Sequence, residues 1–132
     1  MIDGSSPMPA VLIVEDEPLV RSVMADALQE EGFTVLEASN TAEALLALEA
    51  QPDIAVVLTD VEMPPGARGF DLATEASKRW PHVRAVVTSG RTWPGPGDMP
   101  GSAVFLPKPW TSEILVQCVW EAVDRARVAR QG

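Results

Sequence analysis

The sequence predicts a single α/β domain in which a parallel sheet of five short strands is covered by helices on both faces. Residues 10–14 (AVLIV) and 54–58 (IAVVL) are unbroken apolar runs of strand length, the pattern of central strands buried on both sides. Strand-like runs alternate with segments whose apolar residues recur at helical spacing, and such an order favours right-handed crossovers between parallel strands. The chain has 132 residues, 46% of them hydrophobic and spread in short blocks, which suits one buried core and no bilayer-spanning segment.

The first strand stops at Glu15, Asp16 and Glu17, after which Pro18 offers a preorganised helix start. Leu19, Val20, Val23, Met24, Ala27 and Leu28 form an apolar stripe until Gly32 can close the helix. A second strand covers 34–36. Asn40 and Glu43 have the spacing of a capping box and open a helix carrying Ala44, Leu45 and Leu48, which Pro52 ends. The third strand, 54–58, is terminated by Thr59 and Asp60. Residues 63–69 are rich in proline and glycine and read as a loop. Phe70 to Arg79 read as a helix that buries Leu72, Ala73 and Ala76. A fourth strand covers 83–87 and ends at Thr88 and Ser89; a fifth covers 103–106 and ends at Pro107, Lys108 and Pro109. Thr111 caps a last helix with Ile114, Leu115, Cys118, Val119, Ala122, Val123 and Ala126 on its apolar face.

One crossover departs from this scheme. Between the fourth and fifth strands the chain reads SGRTWPGPGDMPGSA, and proline and glycine at that density do not sustain a helix of several turns. The expectation is a long loop or at most one helical turn. The run Pro107, Lys108, Pro109 invites a cis bond at Lys108–Pro109, although generic X-Pro odds favour trans.

Ten Lys plus Arg stand against 19 Asp plus Glu, a formal net charge of −9. That sign opposes approach to nucleic acid or an anionic membrane, so neither is expected as a partner. The arginines 125, 127 and 130 are better read as cations at a helix C-terminus than as a DNA-binding surface. Cys118 is the only cysteine and His82 the only histidine, which leaves neither a disulfide nor a Cys/His zinc site. Cys118 reads as a small core hydrophobe and His82 as a solvent-facing turn residue. Residues 1–9 read as a loose leader with no secretion signal, 10–129 as the folded domain and 130–132 as a tail; the expected location is cytoplasmic.

In an open parallel sheet, functional groups gather beyond the carboxyl ends of the strands. That rule selects Glu15, Asp16, Asp60, Thr88, Ser89 and Lys108. Carboxylates held together repel unless a cation intervenes, and oxygen ligands of this kind suit Mg²⁺. Asp16 and Asp60 are the expected side-chain ligands, Glu15 acts through water or at the rim, and the backbone carbonyl of Glu62 supplies a further oxygen. Lys108 is a point charge aimed by its flanking prolines, and Thr88 can donate its hydroxyl to a phosphoryl oxygen. These groups describe phosphoryl transfer onto a carboxylate, with Asp60 attacking in line. Taken singly, Asp16 is an ordinary loop carboxylate, Asp60 a turn former and Thr88 a cap for a local backbone group; their joint placement argues for the site.

With these residues in place, the sequence resembles the receiver domain of two-component response regulators. The resemblance rests on VLIVEDE at 11–17, LTDVEMP at 58–64, VVTSG at 86–90 and FLPKPW at 105–110, and extends over about residues 10–128. It implies a doubly wound, flavodoxin-like sheet of order 2-1-3-4-5 and a stand-alone receiver in a phosphorelay. It also implies phosphorylation of Asp60 by a sensor histidine kinase or a histidine phosphotransfer protein, Mg²⁺ dependence, and a switch in which Thr88 and Phe105 move together. Three departures stand out: MPPGARG places Gly69 one residue late, the fourth helix is replaced by the Pro/Gly-rich stretch, and Phe105 stands where tyrosine is frequent. Loss of that helix puts the usual dimer surface in doubt.

Phe105 reads equally as a static core residue or a switch. Trp93 and Trp110, large aromatics in loop settings, read as contacts for a partner, including a downstream protein target, and Trp120 as cover for the side of the sheet. The glycines at 66, 69 and 90 read as turn formers, and Gly90 leaves water a path that Glu62 could tune. Two other functions fit parts of the sequence: a phosphorylation-independent interaction module, and an Asp-nucleophile phosphohydrolase, for which no acid/base or substrate pocket is visible.

Overall fold

The computed structural model describes residues 9–62 and 69–131. The expected leader and most of the expected loop at 63–69 lie outside the described residues. Nine elements follow in chain order: β1 (Ala10–Val14), α1 (Pro18–Glu30), β2 (Thr34–Ala38), α2 (Thr41–Ala50), β3 (Ile54–Asp60), α3 (Gly69–Arg79), β4 (Arg84–Ser89), β5 (Val104–Pro107) and α4 (Ser112–Gln131). All strands are parallel, in the order β2-β1-β3-β4-β5. This is the doubly wound, flavodoxin-like sheet that the sequence predicts.

The period of two in the strands divides the core between the faces of the sheet. Val11, Ile13, Val56, Leu58 and Val86 point toward α1 and α4, where they meet Met24, Leu28, Leu115 and Val119. Leu12, Val14, Ile54 and Val57 point the other way, to Ala44 and Leu48 of α2 and Leu72 and Ala76 of α3. Helix starts follow local chemistry. Pro18 sits in the first turn of α1, and Gly32 takes φ +96° just beyond its end. Asn40 Oδ1 accepts the Glu43 N–H at 2.8 Å, while Glu43 reaches back to the Ser39 N–H at 2.8 Å, one residue earlier than in a standard capping box. Thr111 Oγ1 accepts the Ile114 N–H at 3.1 Å.

The crossover between β4 and β5 contains only turns and bends over 90–103. Met99, Ala103 and Phe105 close this side of the core against Val61, Phe70, Ala73, Ala85 and Val87, so the loop buries apolar surface that a helix would otherwise cover. The Lys108–Pro109 bond is cis.

Three expectations change. The strands β3 and β4 run to Asp60 and Ser89, beyond the apolar runs, because parallel pairing continues through Asp60↔Thr88. The final helix extends to Gln131, through what reads as a tail, and Arg130 near its end donates to the Pro52 carbonyl at 2.8 Å. His82 is half-buried near that anchor, its imidazole held below its ordinary pKa by burial and by the charge of Arg130. Cys118 packs half-buried against the core, and burial pushes its thiol pKa up, which leaves little reactive thiolate.

Candidate functional site

Sheet register assembles the site. Val14 pairs with Thr59, Asp60 with Thr88, and Ser89 with Pro107, so the carboxyl ends of β1, β3, β4 and β5 lie side by side. Asp60, Thr88 and Ser89 are buried polar residues at those ends, and Glu15 is only 1% exposed. Buried polar groups are expensive without partners, which makes their partners informative.

Asp60 Oδ2 accepts from Lys108 Nζ at 3.2 Å, and Oδ1 accepts the Glu62 N–H at 3.4 Å. The Asp60 side chain is 8% exposed and that of Lys108 30%, so this ion pair is partly shielded and stronger than a surface pair. The Lys108 N–H donates to the Ser89 carbonyl at 3.0 Å, which fixes the root of the side chain against β4.

Glu15 has one carboxylate oxygen satisfied, Oε2 by the Glu17 N–H at 3.1 Å, while its buried Oε1 has no hydrogen-bond partner. Burial pushes its pKa from 4.5 to about 7; the Asp60 carboxylate adds to the rise, and the Glu17 N–H and the charge of Lys108 oppose it. Asp16 follows at the same edge, partly exposed. Among the described residues no three carboxylate, histidine or cysteine side chains are drawn into a cage. An ion here would rest on one or two carboxylates, a backbone carbonyl and water, which is the habit of Mg²⁺ rather than of structural zinc. The orphaned Oε1 of Glu15 beside Asp60 fits a hard cation of that kind.

Thr88 is fully buried, and its Oγ1 accepts the indole N–H of Trp110 at 3.1 Å. The two tryptophans read as partner contacts therefore differ. Trp110 is half-buried, packed against the core and tied to Thr88, because its donor finds a buried acceptor. Trp93 is 67% exposed, and its ring meets Phe105 in a tilted contact at 4.9 Å between centroids and 54° between planes. Phe105 itself is half-buried. Trp120 packs against Phe33 in a tilted contact, 4.5 Å between ring centroids, beside the sheet as its helical position suggests.

Sequence reasoning placed Ser89 at a strand end and read Gly69 as a turn former without foreseeing their contacts, and it passed over Arg21. Ser89 donates its hydroxyl between the two Glu62 oxygens at 3.0 and 2.7 Å and accepts the N–H groups of Arg91 and Thr92 at 3.1 and 2.9 Å. It thereby staples the start of the helix-less loop to Glu62, two residues beyond Asp60. The signal was a serine directly before a turn-forming glycine. Burial raises the Glu62 pKa, but the side chains of Thr92 and Ser89 and the charges of Lys108 and Arg91 outweigh it and hold the carboxyl below its usual value. Arg21 donates to the Glu15 carbonyl at 2.8 Å and pairs with Glu37 at 3.0 Å; nothing in its sequence surroundings marks this. Gly69 abuts the Asp60 backbone. Ser89→Ala is expected to cost about 1–3 kcal/mol, since it strands two N–H donors and a carboxylate; an unchanged urea midpoint would remove Ser89 from this role.

Residues 11–119 match the family model for the response regulator receiver domain. The chain is 34% identical over 119 residues to the hydrogenase transcriptional regulatory protein HoxA of Cupriavidus necator, a match covering 86% of this chain and 24% of that protein. It is 39% identical over 121 residues to the transcriptional regulatory protein PdtaR of Mycobacterium tuberculosis, covering 89% of this chain and 58% of that protein. It thus spans less than two thirds of either relative. A crystal structure of the response regulator protein TrrA from Thermotoga maritima in complex with Mg²⁺-BeF aligns with a TM-score of 0.78 at 26% identity, over 87% of this chain and 99% of that one.

Proposed function

The chain belongs to the response regulator receiver domains, and on that premise we propose that it is a phosphorelay switch that accepts a phosphoryl group on Asp60 from a phosphohistidine protein. The donor is a sensor histidine kinase or a histidine phosphotransfer protein, and the output is protein contact. The observation that carries this reading is a shielded Asp60 carboxylate bonded to Lys108 at 3.2 Å and in register with Thr88.

In the proposed transfer, a carboxylate oxygen of Asp60 forms a bond to phosphorus as the P–N bond to the donor imidazole breaks. The bonding pair stays on the ring nitrogen, which takes a proton from solvent. Lys108 holds positive charge beside the acceptor oxygen throughout, and Thr88 has a hydroxyl proton to give to an oxygen of the arriving group. Bound Mg²⁺ would supply further positive charge at the phosphoryl oxygens; Asp16, Asp60 and the Glu62 carbonyl are the residues to hold it, with Glu15 acting through water. The Mg²⁺-BeF complex of the Thermotoga neighbour supports this assignment by similarity.

The loop over 90–103 offers the surface through which phosphorylation is read. Trp93 lies over Phe105, one strand away from Thr88, so a change in Phe105 packing alters what Trp93 presents to a partner. Among the described residues no helix is long and apolar enough to cross a membrane, and with a net charge of −9 the partners proposed are proteins rather than nucleic acid or lipid.

Intact-mass measurement after treatment with acetyl phosphate tests the assignment. The wild-type protein is expected to gain one phosphoryl group with Mg²⁺ and none after the metal is chelated, and Asp60→Asn to gain none in either condition. A wild-type protein that never gains mass, or an Asp60→Asn protein that gains as much, would overturn it.

A further inference from the structure

We infer that Trp110 is a positioning residue for phosphoryl transfer: its indole N–H orients the Thr88 hydroxyl to donate its proton to a phosphoryl oxygen, and it reports the occupancy of Asp60. The inference rests on the reading of Asp60 as phosphoacceptor and extends it to a residue outside the acidic cluster.

An indole nitrogen only donates, whereas a threonine hydroxyl both donates and accepts. In the 3.1 Å contact between Trp110 Nε1 and Thr88 Oγ1, Thr88 must therefore be the acceptor. The hydroxyl proton is excluded from the Trp110 side and left to another direction. Thr88 makes no second side-chain hydrogen bond among the described residues, and it is fully buried, so water does not take that proton from the open surface. A buried hydroxyl with an unused proton is a group held ready for an acceptor. Its neighbour in register on β3 is Asp60. Donation into the hydroxyl oxygen also polarises the O–H bond and strengthens it as a donor.

Trp110 is itself held in place. It packs against the cluster formed by the sheet, α1 and α4 and immediately precedes Thr111, the residue that caps α4. When Thr88 turns to a phosphoryl oxygen, the indole N–H follows it or loses its acceptor. If the indole follows, the start of α4 moves with it, linking Asp60 to a face of the molecule away from Trp93. Phenylalanine at this position would keep the ring but not the donor, which separates positioning from packing.

The test combines Trp110→Phe with ¹⁵N labelling of the indoles. In wild-type protein, adding acetyl phosphate and Mg²⁺ is expected to shift the Trp110 indole resonance, assigned by its loss in Trp110→Phe. In Thr88→Val, that resonance should already be displaced in the resting protein. Phosphorylation of Trp110→Phe, followed by intact mass, is expected to slow by about 2- to 10-fold, the worth of one hydrogen bond, with the resting protein folded. A wild-type protein that gains a phosphoryl group while the Trp110 resonance stays put, or a Trp110→Phe protein phosphorylated at the wild-type rate, overturns this inference alone. No mass gain in the wild type overturns it together with the function it rests on.

Discussion

A Gly69→Ala protein is expected to lose most of its capacity to be phosphorylated and to unfold at lower urea than the wild type. Gly69 begins α3, and its N–H donates to the Val61 carbonyl at 3.1 Å, hooking the helix start to the end of β3. A Cβ at this position would collide with the carbonyl oxygen of Asp60 and lie 2.9 Å from its carbonyl carbon and 3.1 Å from the Val61 Cα. The obstacle is backbone, so no side chain can swing aside. Alanine favours a helix interior by at most about 1 kcal/mol over glycine, less at a first position, whereas overpacking costs about 1–3 kcal/mol; the collision wins. The strain falls on Asp60, the residue proposed to accept the phosphoryl group, and a misplacement on the order of 1 Å at a reacting atom can cost ~100-fold in rate. Gly101→Ala is the control, because a Cβ there meets nothing within 4 Å. Wild-type phosphorylation in Gly69→Ala, measured by intact mass beside a urea titration, would show that β3 yields without cost.

Replacing Glu15 by glutamine is expected to stabilise the metal-free protein above pH 7 and to weaken its response to Mg²⁺. Glu15 ionises near 7 in the folded chain against 4.5 ordinarily. Below 4.5 the group is protonated folded and unfolded alike, and it costs nothing. Between these values the folded state keeps a proton that the unfolded state releases, so the contribution of Glu15 to stability declines as pH rises. Above 7 the buried charge exerts its full penalty, roughly 1–3 kcal/mol after allowing for solvent screening. Glutamine removes the charge at every pH and should flatten the decline between pH 5 and 8. The same change removes an anion from the site proposed for the metal, so the rise in melting temperature on adding Mg²⁺ should shrink. A Glu15→Gln protein whose stability tracks the wild type across that range would show that water reaches Oε1 and that the charge is not costly.

Much of this molecule is legible in one dimension because its signals are local. The apolar runs AVLIV and IAVVL mark β1 and β3, since only a strand covered on both faces tolerates such a run. Asn40 and Thr111 mark helix starts by the hydrogen bonds that their own side chains make. The proline and glycine of 90–103 rule out a fourth crossover helix by backbone chemistry alone, and none forms there. The polar residues beyond each strand named Asp60, Thr88 and Lys108, and the Lys108–Asp60 bond brings two of them together.

What only the tertiary structure decided involves contacts between residues far apart in the chain. The hook from Trp110 to Thr88 spans 22 positions, and the bond from Ser89 to Glu62 spans 27; neither pair carries a mutual sequence signal. Gly69 reads as a turn former, yet its smallness is demanded by the backbone of Asp60 at the end of β3. Glu15 reads as a rim carboxylate, but packing buried it and left one oxygen without a partner. Periodicity and turn chemistry act within a few residues, so the sequence by itself determined the order of elements and the chemical types at the strand ends. Register and side-chain packing act across the sheet, and they set which carboxylate is strained, which hydroxyl is held and which tryptophan faces inward.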